Sequence, residues 1–288
     1  MKISEILKNR DITVSYEVFP PKNTAARESV EKAAFEIAAL KPDFMSVTYG
    51  AAGSTKGYTF DLARQIKERY NVETLAHLTC INSTKDQTVE ALNELKSFGI
   101  DNILALRGDK PADGTVCVSD YNYASDLVRF IKQNGDFCVG GACYPDGHVE
   151  AEHKDEDIDN LKKKVDEGTE FLTTQMFFDN SVLYNFLYRI REKGITVPVI
   201  AGIMPVTNGR QIKRITDISG TYLPARFKAI VDRFGDDPKA MAQSGVAYAT
   251  EQIIDLIANG VTHIHIYSMN KPEIARQIEQ NLSDIIKR

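Results

Sequence analysis

The sequence predicts an α/β fold in which eight parallel strands close into one barrel. Eight short apolar segments that end in turn residues alternate with amphipathic helical segments along the chain. The first seven of these segments begin 27 to 34 residues apart, a spacing that accommodates one strand and one helix. This repeated alternation favours a closed (β/α)8 TIM barrel, and an open doubly wound sheet is the alternative.

Each strand candidate is a run of apolar residues with a polar or turn-forming exit. In chain order the candidates are Ile12–Phe19, Asp43–Gly50, Thr74–Cys80, Ile103–Asp109, Phe137–Pro145, Phe171–Phe178, Pro198–Pro205 and Thr262–Met269. Because these runs are short and bounded by turn residues, they are typical of strands that are buried on both faces.

The helical segments are recognised by their apolar spacing and by their ends. Thr84 can cap a helix over Thr84–Phe98, and Gly99 then ends it. Asp155–Glu167 also has helical spacing, with Ile158, Leu161 and Val165 on one face. The last strand-to-strand interval is 64 residues long and predicts extra helices up to Ala240–Asn259. A final helix is predicted over about Pro272–Lys287.

Composition excludes several classes of protein. The 288 residues fit one barrel domain over residues 1–288, without an evident linker. A net charge of −5 argues against non-specific nucleic-acid binding, and no apolar run approaches the roughly 20 residues of a membrane span. The four cysteines form no CxxC motif, which predicts reduced thiols and a cytoplasmic location.

The first strand, within VSYEVFPPK, carries an isolated carboxylate. Side chains alternate across a strand, so Ser15, Glu17 and Phe19 share one face. Burial raises the pKa of a carboxyl, which would suit Glu17 to donate a proton near neutral pH. The alternative is a structural ion pair between Glu17 and a lysine or arginine inside the barrel.

Histidines on two other strands allow more than one interpretation. His77 on the third strand can be a hydrogen-bonded core residue or a ligand-binding residue. His263 and His265 share a face of the eighth strand, and paired histidines can hold zinc. The mid-strand position and the lack of an evident acidic third ligand argue against a metal.

Polar residues follow the fourth, fifth and sixth strands. ILALRGDKP places Arg107, Gly108 and Asp109 at a strand exit, where α/β barrels bind ligands. The exit of the fifth strand and the helix after it can clasp a ribose and a diphosphate, or form a solvated surface. Their polar residues are Tyr144, His148, Asp157, Asn160, Lys163 and Lys164. Gln175 needs partners for its amide, from a core network or from a substrate with an amide edge.

These residues have a common position in the predicted fold, at the exits of successive strands. Those nearest the exits are Glu17, Thr48, Asp109, Tyr144, Gln175 and Tyr267. In a parallel barrel the exits meet at one mouth, so we expect a single ligand-binding site there.

Nine segments, spread in order over nearly the whole chain, resemble the 5,10-methylenetetrahydrofolate reductase family in its short bacterial catalytic form. They are SYEVFPPK, FMSVTYGA, HLTC, ILALRGD, YASDLV, CYPDGHVEA, NLKKKVDEG, TQMFFD and GIMPV. The resemblance implies a barrel that uses FAD to pass hydride from NADH or NADPH to 5,10-methylenetetrahydrofolate. The product would be 5-methyltetrahydrofolate, which feeds methionine biosynthesis.

The resemblance also implies roles for individual residues. Glu17 would be the general acid, and Asp109 would stabilise a cationic iminium on the folate. Substrate contacts are implied for Thr48, Gln175, Gln211, Tyr267 and Lys271. FAD contacts are implied for Tyr49, Ala51, His77, Arg107, Gly108, Asp109, Ala124, Tyr144, His148, Ala151, Asp157, Asn160, Lys163 and Lys164.

Two positions depart from the family pattern. Lys163 stands where relatives often have arginine, and Lys271 stands where some relatives have an arginine that contacts folate. A lysine contributes a point charge without the bidentate geometry of arginine. The regulatory domain of eukaryotic relatives is not expected, and neither is control by S-adenosylmethionine.

Other functions are compatible with parts of this pattern. The chain could be another flavin barrel, such as a proline-dehydrogenase-like enzyme, or a non-catalytic barrel that binds folate or flavin. The sequence leaves open the choice between NADH and NADPH, association into a homo-oligomer, and an electron-transfer partner in place of the nicotinamide donor.

Overall fold

The computed structural model describes residues 1–21, 23–49, 56–109 and 118–287. Within these residues, eight parallel strands pair in chain order and close into a barrel, with the last strand pairing to the first. The strands are β1 (Thr13–Val18), β2 (Phe44–Val47), β3 (Glu73–Thr79), β4 (Asn102–Leu106), β5 (Cys138–Cys143), β6 (Phe171–Thr174), β7 (Val199–Ile203) and β8 (His263–Tyr267). The predicted closed barrel is confirmed, and the open-sheet alternative is wrong.

Helices surround the barrel. They are α1 (Ile3–Asn9), α2 (Arg27–Ala38), α3 (Lys56–Tyr70), α4 (Lys85–Ser97), α5 (Ala124–Asn134), α6 (Lys154–Asp166), α7 (Asn180–Glu192), α8 (Gly209–Ser219), α9 (Ala225–Phe234), α10 (Pro238–Ala258) and α11 (Pro272–Ile286). Helices α8, α9 and α10 confirm the extra helices predicted between the last two strands. The predicted cap is also confirmed, because Thr84 accepts from the Gln87 N–H and Gln87 bonds back to Thr84.

Several predicted strands extend too far at their exits. The second ends at Val47 instead of Gly50, and the sixth ends at Thr174 instead of Phe178. After β6 the chain leaves the sheet, and Met176 and Phe178 pack into a separate apolar cluster with Phe227 of α9. These residues are apolar because they pack against helices, so hydropathy alone extends the strand past its true end.

The short N-terminal helix α1 closes the amino-terminal end of the barrel. Ile3, Ile6 and Leu7 are buried against side chains that point inward from six strands. Those side chains are Phe44, Leu75, Leu104, Cys138, Phe171 and Ile200. This helix was not predicted from the sequence, and its seven residues make only two turns. The apolar layer leaves the carboxyl-terminal end as the open mouth of the barrel.

Two predictions made from composition concern the cysteines and membrane-spanning helices. Cys80, Cys138 and Cys143 are buried free thiols, as predicted, while Cys117 lies outside the described residues. None of the helices within the described ranges combines the length and hydropathy that a membrane crossing requires.

Candidate active site at the barrel mouth

Glu17 lies near the end of β1 and points into the barrel between two histidines. Its Oε2 is 3.7 Å from His77 Nε2 on β3 and 4.0 Å from His265 Nε2 on β8. The pairing of β1 with β2 places Glu17 beside Ser46, and the pairing of β1 with β8 places Ser15 beside His265. Strand register therefore assembles a polar layer directly beneath the mouth.

Burial sets the charge of this layer. It raises the pKa of the Glu17 carboxyl to about 8 and lowers the pKa values of His77 and His265 to about 3 each. Glu17 retains 22% side-chain exposure toward the mouth, although protein atoms enclose its carboxyl. At neutral pH the layer holds a protonated acid and two neutral imidazoles. The ion pair with a lysine or arginine, considered as an alternative, is not found among the described residues.

Hydrogen bonds fix the ring of His265. Ser15 Oγ lies 2.8 Å from His265 Nδ1, and Ser46 Oγ lies 3.1 Å from His265 Nε2. His263, one layer lower, has its Nδ1 3.1 Å from Thr13 Oγ1. Both ring nitrogens of His265 lie within hydrogen-bond distance of serine hydroxyls, so His263 and His265 do not form a metal-binding pair. In the ranges that the structure describes, no group of three or more metal-ligating side chains is found.

His77 differs from His265 in its hydrogen bonding. Its Nε2 is buried and has no hydrogen-bond partner among the described residues. The nearby Glu17 oxygen at 3.7 Å is too distant for a hydrogen bond. A buried ring nitrogen without a partner beside a protonated carboxyl is a polar position that a ligand or water in the mouth can satisfy.

The loop after β4 carries Arg107, Gly108 and Asp109 on the rim of the mouth. Gly108 has φ +89°, and a Cβ there would lie 2.6 Å from Ile81 Cγ2, so this position requires glycine. The Arg107 guanidinium donates two hydrogen bonds to Glu150, at 2.9 and 2.6 Å. Asp109 is exposed at the same rim. The rim thus presents the Asp109 carboxylate and the Arg107 guanidinium, which is paired with Glu150 from the neighbouring loop.

The exit of β5 and the adjoining helix α6 form a polar wall next to this rim. The rings of Tyr144 and His148 meet edge to face, 4.7 Å apart. Asp157 accepts from the His148 N–H, and burial raises the pKa of its carboxyl. Lys164 Nζ donates to the Ala142 carbonyl at 2.5 Å, and burial lowers the pKa of this ammonium. Four of the residues predicted to hold FAD are therefore brought together.

The other residues predicted to contact FAD lie in varied positions. Asn160 and Lys163 are exposed on α6 and bond to each other, Ala124 begins α5, and Ala151 follows the His148 turn. The Tyr49 ring instead lies 6.1 Å from the Phe60 ring, on the helix side of the barrel. Ala51 lies outside the described residues.

The residues predicted to contact substrates lie at or after the ends of β2, β6, β7 and β8. Gln175 follows β6 and accepts from the Met176 N–H through its amide oxygen, while the Tyr267 hydroxyl donates to the Thr174 carbonyl at 2.5 Å. Thr48 directly follows β2, and Lys271 Nζ bonds to Thr207 Oγ1.

A shallow groove runs from the exits of β7 and β8 along α8. It is lined by Met204, Thr207, Gln211, Ile215 and Met269, among others. The exposed Gln211 lies at the start of α8, and its backbone N–H is capped by Asn208. The groove therefore offers an apolar floor with amide groups at its edge.

This donor set fits a dinucleotide cofactor such as FAD. Gly108 has no side chain, so a cofactor can approach the backbone closely at this position. Arg107, Lys163 and Lys164 supply positive charge for a diphosphate. Asp157 and Asn160 supply the acceptors and donors that a ribose needs. Ser15 and Ser46 were not predicted as members of the site, and His265 was considered only as part of a metal pair. Side-chain alternation places all three facing the barrel axis, but only strand register shows that they meet Glu17.

Comparisons with known proteins agree on the fold and on one family. The family model described as methylenetetrahydrofolate reductase matches residues 2–283. The chain is 36% identical over 267 residues to 5,10-methylenetetrahydrofolate reductase of Escherichia coli, which covers 93% of this chain and 89% of that protein. It is 36% identical over 291 residues to methylenetetrahydrofolate reductase 1 of Schizosaccharomyces pombe, and spans 98% of this chain but 48% of that protein.

Solved structures share the architecture at low sequence identity. A Clostridium thermocellum protein that binds two copies of 5-methyl-5,6,7,8-tetrahydrofolic acid superposes with a TM-score of 0.65 at 16% identity, covering 99% of both chains. Oxaloacetate acetylhydrolase superposes with a TM-score of 0.54 at 13% identity, covering 99% of this chain and 86% of that one. At these identities the likeness concerns the fold alone.

Proposed function

The chain belongs to the methylenetetrahydrofolate reductase family, and from this premise we propose that it reduces 5,10-methylenetetrahydrofolate to 5-methyltetrahydrofolate with FAD and NADH or NADPH. The observation that carries the proposal is Glu17, a carboxyl enclosed by two neutral histidines at the barrel mouth, whose pKa is raised to about 8. An acid that keeps its proton at neutral pH is what opening of the folate ring requires.

Glu17 is the proposed proton donor. The ring nitrogen of the folate is a poor leaving group until it is protonated. Transfer of the Glu17 proton to this nitrogen lets its bond to the methylene carbon break, which leaves a cationic iminium on the other nitrogen. Hydride addition at the methylene carbon then gives the methyl product. Glu17 finishes as a carboxylate and regains a proton from solvent through the mouth.

Asp109 is the proposed stabiliser of the iminium. Its carboxylate stands on the rim, on an exit loop whose path depends on Gly108. A fixed anion near a developing cation lowers the energy of that cation without reorganisation at the moment of reaction.

FAD, when bound, would supply the hydride transfer, and the protein would supply its position and electrostatics. Arg107, Lys163 and Lys164 would hold the diphosphate, with Asp157 and Asn160 at the ribose. Tyr49, Ala51, His77, Gly108, Ala124, Tyr144, His148 and Ala151 complete the proposed FAD contacts.

The remaining proposed contacts are to the two substrates. Thr48, Gln175 and Tyr267 would contact the nicotinamide donor, with Gln175 also binding the pterin. Gln211 and Lys271 would contact the folate and its glutamate tail. Since both substrates would need the same cofactor, we propose that they occupy the mouth in turn.

The experiment is a spectroscopic test of both half-reactions. Purified protein, as isolated or after incubation with FAD, should be yellow, and excess NADH or NADPH without air should bleach it. Adding 5,10-methylenetetrahydrofolate should restore the colour and yield 5-methyltetrahydrofolate. Protein that takes up no FAD would refute the proposal, and a flavin that proline bleaches but that 5,10-methylenetetrahydrofolate does not reoxidise would point to another flavin enzyme. Running the assay with each nucleotide determines the preferred donor.

A further inference from the structure

We propose that Asn270 is a positioning residue that holds the groove beside α8 in place relative to the end of β1. Two hydrogen bonds join the side-chain amide of Asn270 to the main chain of Phe19, two residues after Glu17. We call this pair of hydrogen bonds the Asn270 clamp. Its consequence for the folate rests on the proposed function, whereas the clamp itself is a property of the unliganded chain.

The segment that carries Asn270 is a tight turn between β8 and α11. The Lys271 N–H donates to the Ser268 carbonyl at 3.0 Å, and the two residues between them, Met269 and Asn270, have φ +54° and +53°. Positive φ at both central positions is the pattern of a type I′ turn, which favours glycine and asparagine. Within the described ranges, no other two adjacent non-glycine residues have positive φ. Methionine is unfavourable in this conformation, so contacts around the turn must hold it.

The Asn270 clamp supplies two of those contacts. The Phe19 N–H donates to Asn270 Oδ1 at 3.0 Å, and Asn270 Nδ2 donates to the Phe19 carbonyl at 3.0 Å. Phe19 lies just beyond the last residue of β1, so these bonds satisfy a main chain that has left the sheet. A main-chain N–H can only donate and a carbonyl can only accept, which fixes the orientation of the Asn270 amide.

A third hydrogen bond ties the same turn to the residue that carries the proposed acid. Ser268 is buried, and its Oγ donates to the Glu17 carbonyl at 2.8 Å. In the pairing of β1 with β8, Glu17 lies opposite Tyr267, the residue before Ser268. The turn therefore continues the pairing of the two strands through side chains after the sheet has ended.

The turn also forms one end of the groove along α8. Met269 lines the groove, and Lys271 Nζ bonds to Thr207 Oγ1 on the loop after β7. Lys271 and Gln211 are the proposed folate contacts. One turn therefore touches the strand end of the proposed acid on one side and the proposed folate groove on the other. Without the clamp, we expect Met269 and Lys271 to shift relative to Glu17, while the polar wall at β5 and α6 stays in place.

Asparagine also occurs at positive φ for reasons of backbone conformation alone, and Asn270→Gly separates the two roles. Glycine adopts positive φ at no steric cost, so this variant preserves the turn but lacks the side chain that bonds to Phe19. Asn71→Gly is the matched control. Asn71 is exposed and has φ +55°, and no hydrogen bond from its side chain is found within the described ranges.

The first test measures amide hydrogen exchange by NMR in the purified 288-residue chain, before any folate is added. We expect the Phe19 N–H to exchange roughly tenfold faster in Asn270→Gly than in the wild type, and at an unchanged rate in Asn71→Gly. The Thr13 N–H, which donates to the Thr262 carbonyl, should stay protected in every variant and reports an intact barrel. An unchanged Phe19 rate in Asn270→Gly would overturn the inference.

The second test measures both half-reactions of the FAD-loaded protein by anaerobic stopped-flow absorbance. In Asn270→Gly we expect flavin reduction by NADH or NADPH at the wild-type rate. The concentration of 5,10-methylenetetrahydrofolate that gives half-maximal reoxidation should rise roughly tenfold. Asn71→Gly should match the wild type in both half-reactions. An equal loss in both half-reactions of Asn270→Gly would indicate a general structural role, and an unchanged folate dependence would mean that the clamp does not position the groove. Either result overturns the inference.

Calorimetric titration of the FAD-loaded protein with 5-methyltetrahydrofolate separates this inference from the proposed function. Wild-type protein that binds no folate would refute the proposed function, and the exchange rate of the Phe19 N–H would still decide whether the clamp exists. If the wild type and Asn270→Gly bind this folate with equal affinity, the proposed function stands and the positioning role of Asn270 is overturned.

Discussion

At the scale of single residues, the distinctive feature is a carboxyl whose neighbours carry no charge. Glu17 is packed between His77 and His265, and burial shifts all three groups toward their neutral forms. Burying a carboxylate without a cationic partner is costly, so the acid retains its proton over the physiological range. A general acid with a pKa near the working pH is ready to donate without being deprotonated beforehand.

Replacing Glu17 with glutamine separates the two half-reactions. Glu17→Gln keeps the shape and neutral charge of the acid but has no acidic proton to donate. We expect reduction of the flavin by NADH or NADPH to proceed, while folate reduction slows by roughly 10²- to 10⁴-fold. Anaerobic stopped-flow absorbance of the flavin measures each half-reaction. Glu273→Gln, at an exposed position where α11 begins, is the control. Undiminished folate reduction in Glu17→Gln would rule out the acid role.

At the scale of elements, the loop after β7 depends on a close approach by α10. A Cβ on Gly245 of α10 would lie 1.8 Å from the Val206 carbonyl oxygen. Val206 belongs to the segment that leads to the groove beside Gln211. Glycine is therefore required here for contact between two backbones, in the middle of a helix where it would otherwise be unfavourable.

Adding one methyl group at this contact should destabilise the fold. We expect Gly245→Ala to reduce the free energy of unfolding by about 1–3 kcal/mol or more, because neither backbone can move without disturbing its element. Urea denaturation measures the difference. Gly57→Ala on α3 is the control, since a Cβ there meets nothing within 4 Å and alanine favours the helix by up to about 1 kcal/mol. Equal stability of the two variants would contradict the close contact.

At the scale of the whole molecule, the barrel is closed by an apolar layer at one end and carries polar groups at the other. The layer beneath the mouth contributes to the pH dependence of stability, because burial shifts the pKa values of Glu17, His77 and His265. The two histidines favour folding only when they are neutral. Glu17 favours folding only when it is protonated.

The two histidines and Glu17 give the stability of the fold opposite dependences on pH. The pKa values of His77 and His265 fall from 6.5 to about 3 on folding, so their stabilisation is complete above pH 6.5 and is lost as the pH falls toward 3. The pKa of Glu17 rises from 4.5 to about 8, so its contribution is complete below pH 4.5 and is lost as the pH rises to 8.

Urea denaturation from pH 4 to pH 9 tests this prediction. Relative to the wild type, Glu17→Gln should gain stability progressively between pH 4.5 and 8, by a few kcal/mol and at most roughly 5 kcal/mol. The Glu273→Gln control should give a curve parallel to the wild type. A stability difference between Glu17→Gln and the wild type that does not change with pH would contradict the raised pKa of Glu17.

The amino-acid sequence by itself determined the barrel class, the approximate strand positions and the face on which Glu17 lies. Apolar runs and side-chain alternation are local properties, and a strand buried on both faces displays them directly. Nine segments, among them SYEVFPPK, FMSVTYGA and ILALRGD, were also sufficient to identify the family, with its proposed acid and anion at strand exits.

Only the tertiary structure decided which side chains surround Glu17. Alternation orients Ser46, His77 and His265 toward the barrel axis, but the stagger between strands determines the height of each one. Hydrogen bonds between residues far apart in the chain set that stagger: β1 pairs with β8 across some 250 positions. The same holds for α1 and for Arg107 with Glu150, whose contacts join segments that are distant in the chain. Local pattern therefore specifies the direction of a side chain, and long-range pairing specifies its neighbours.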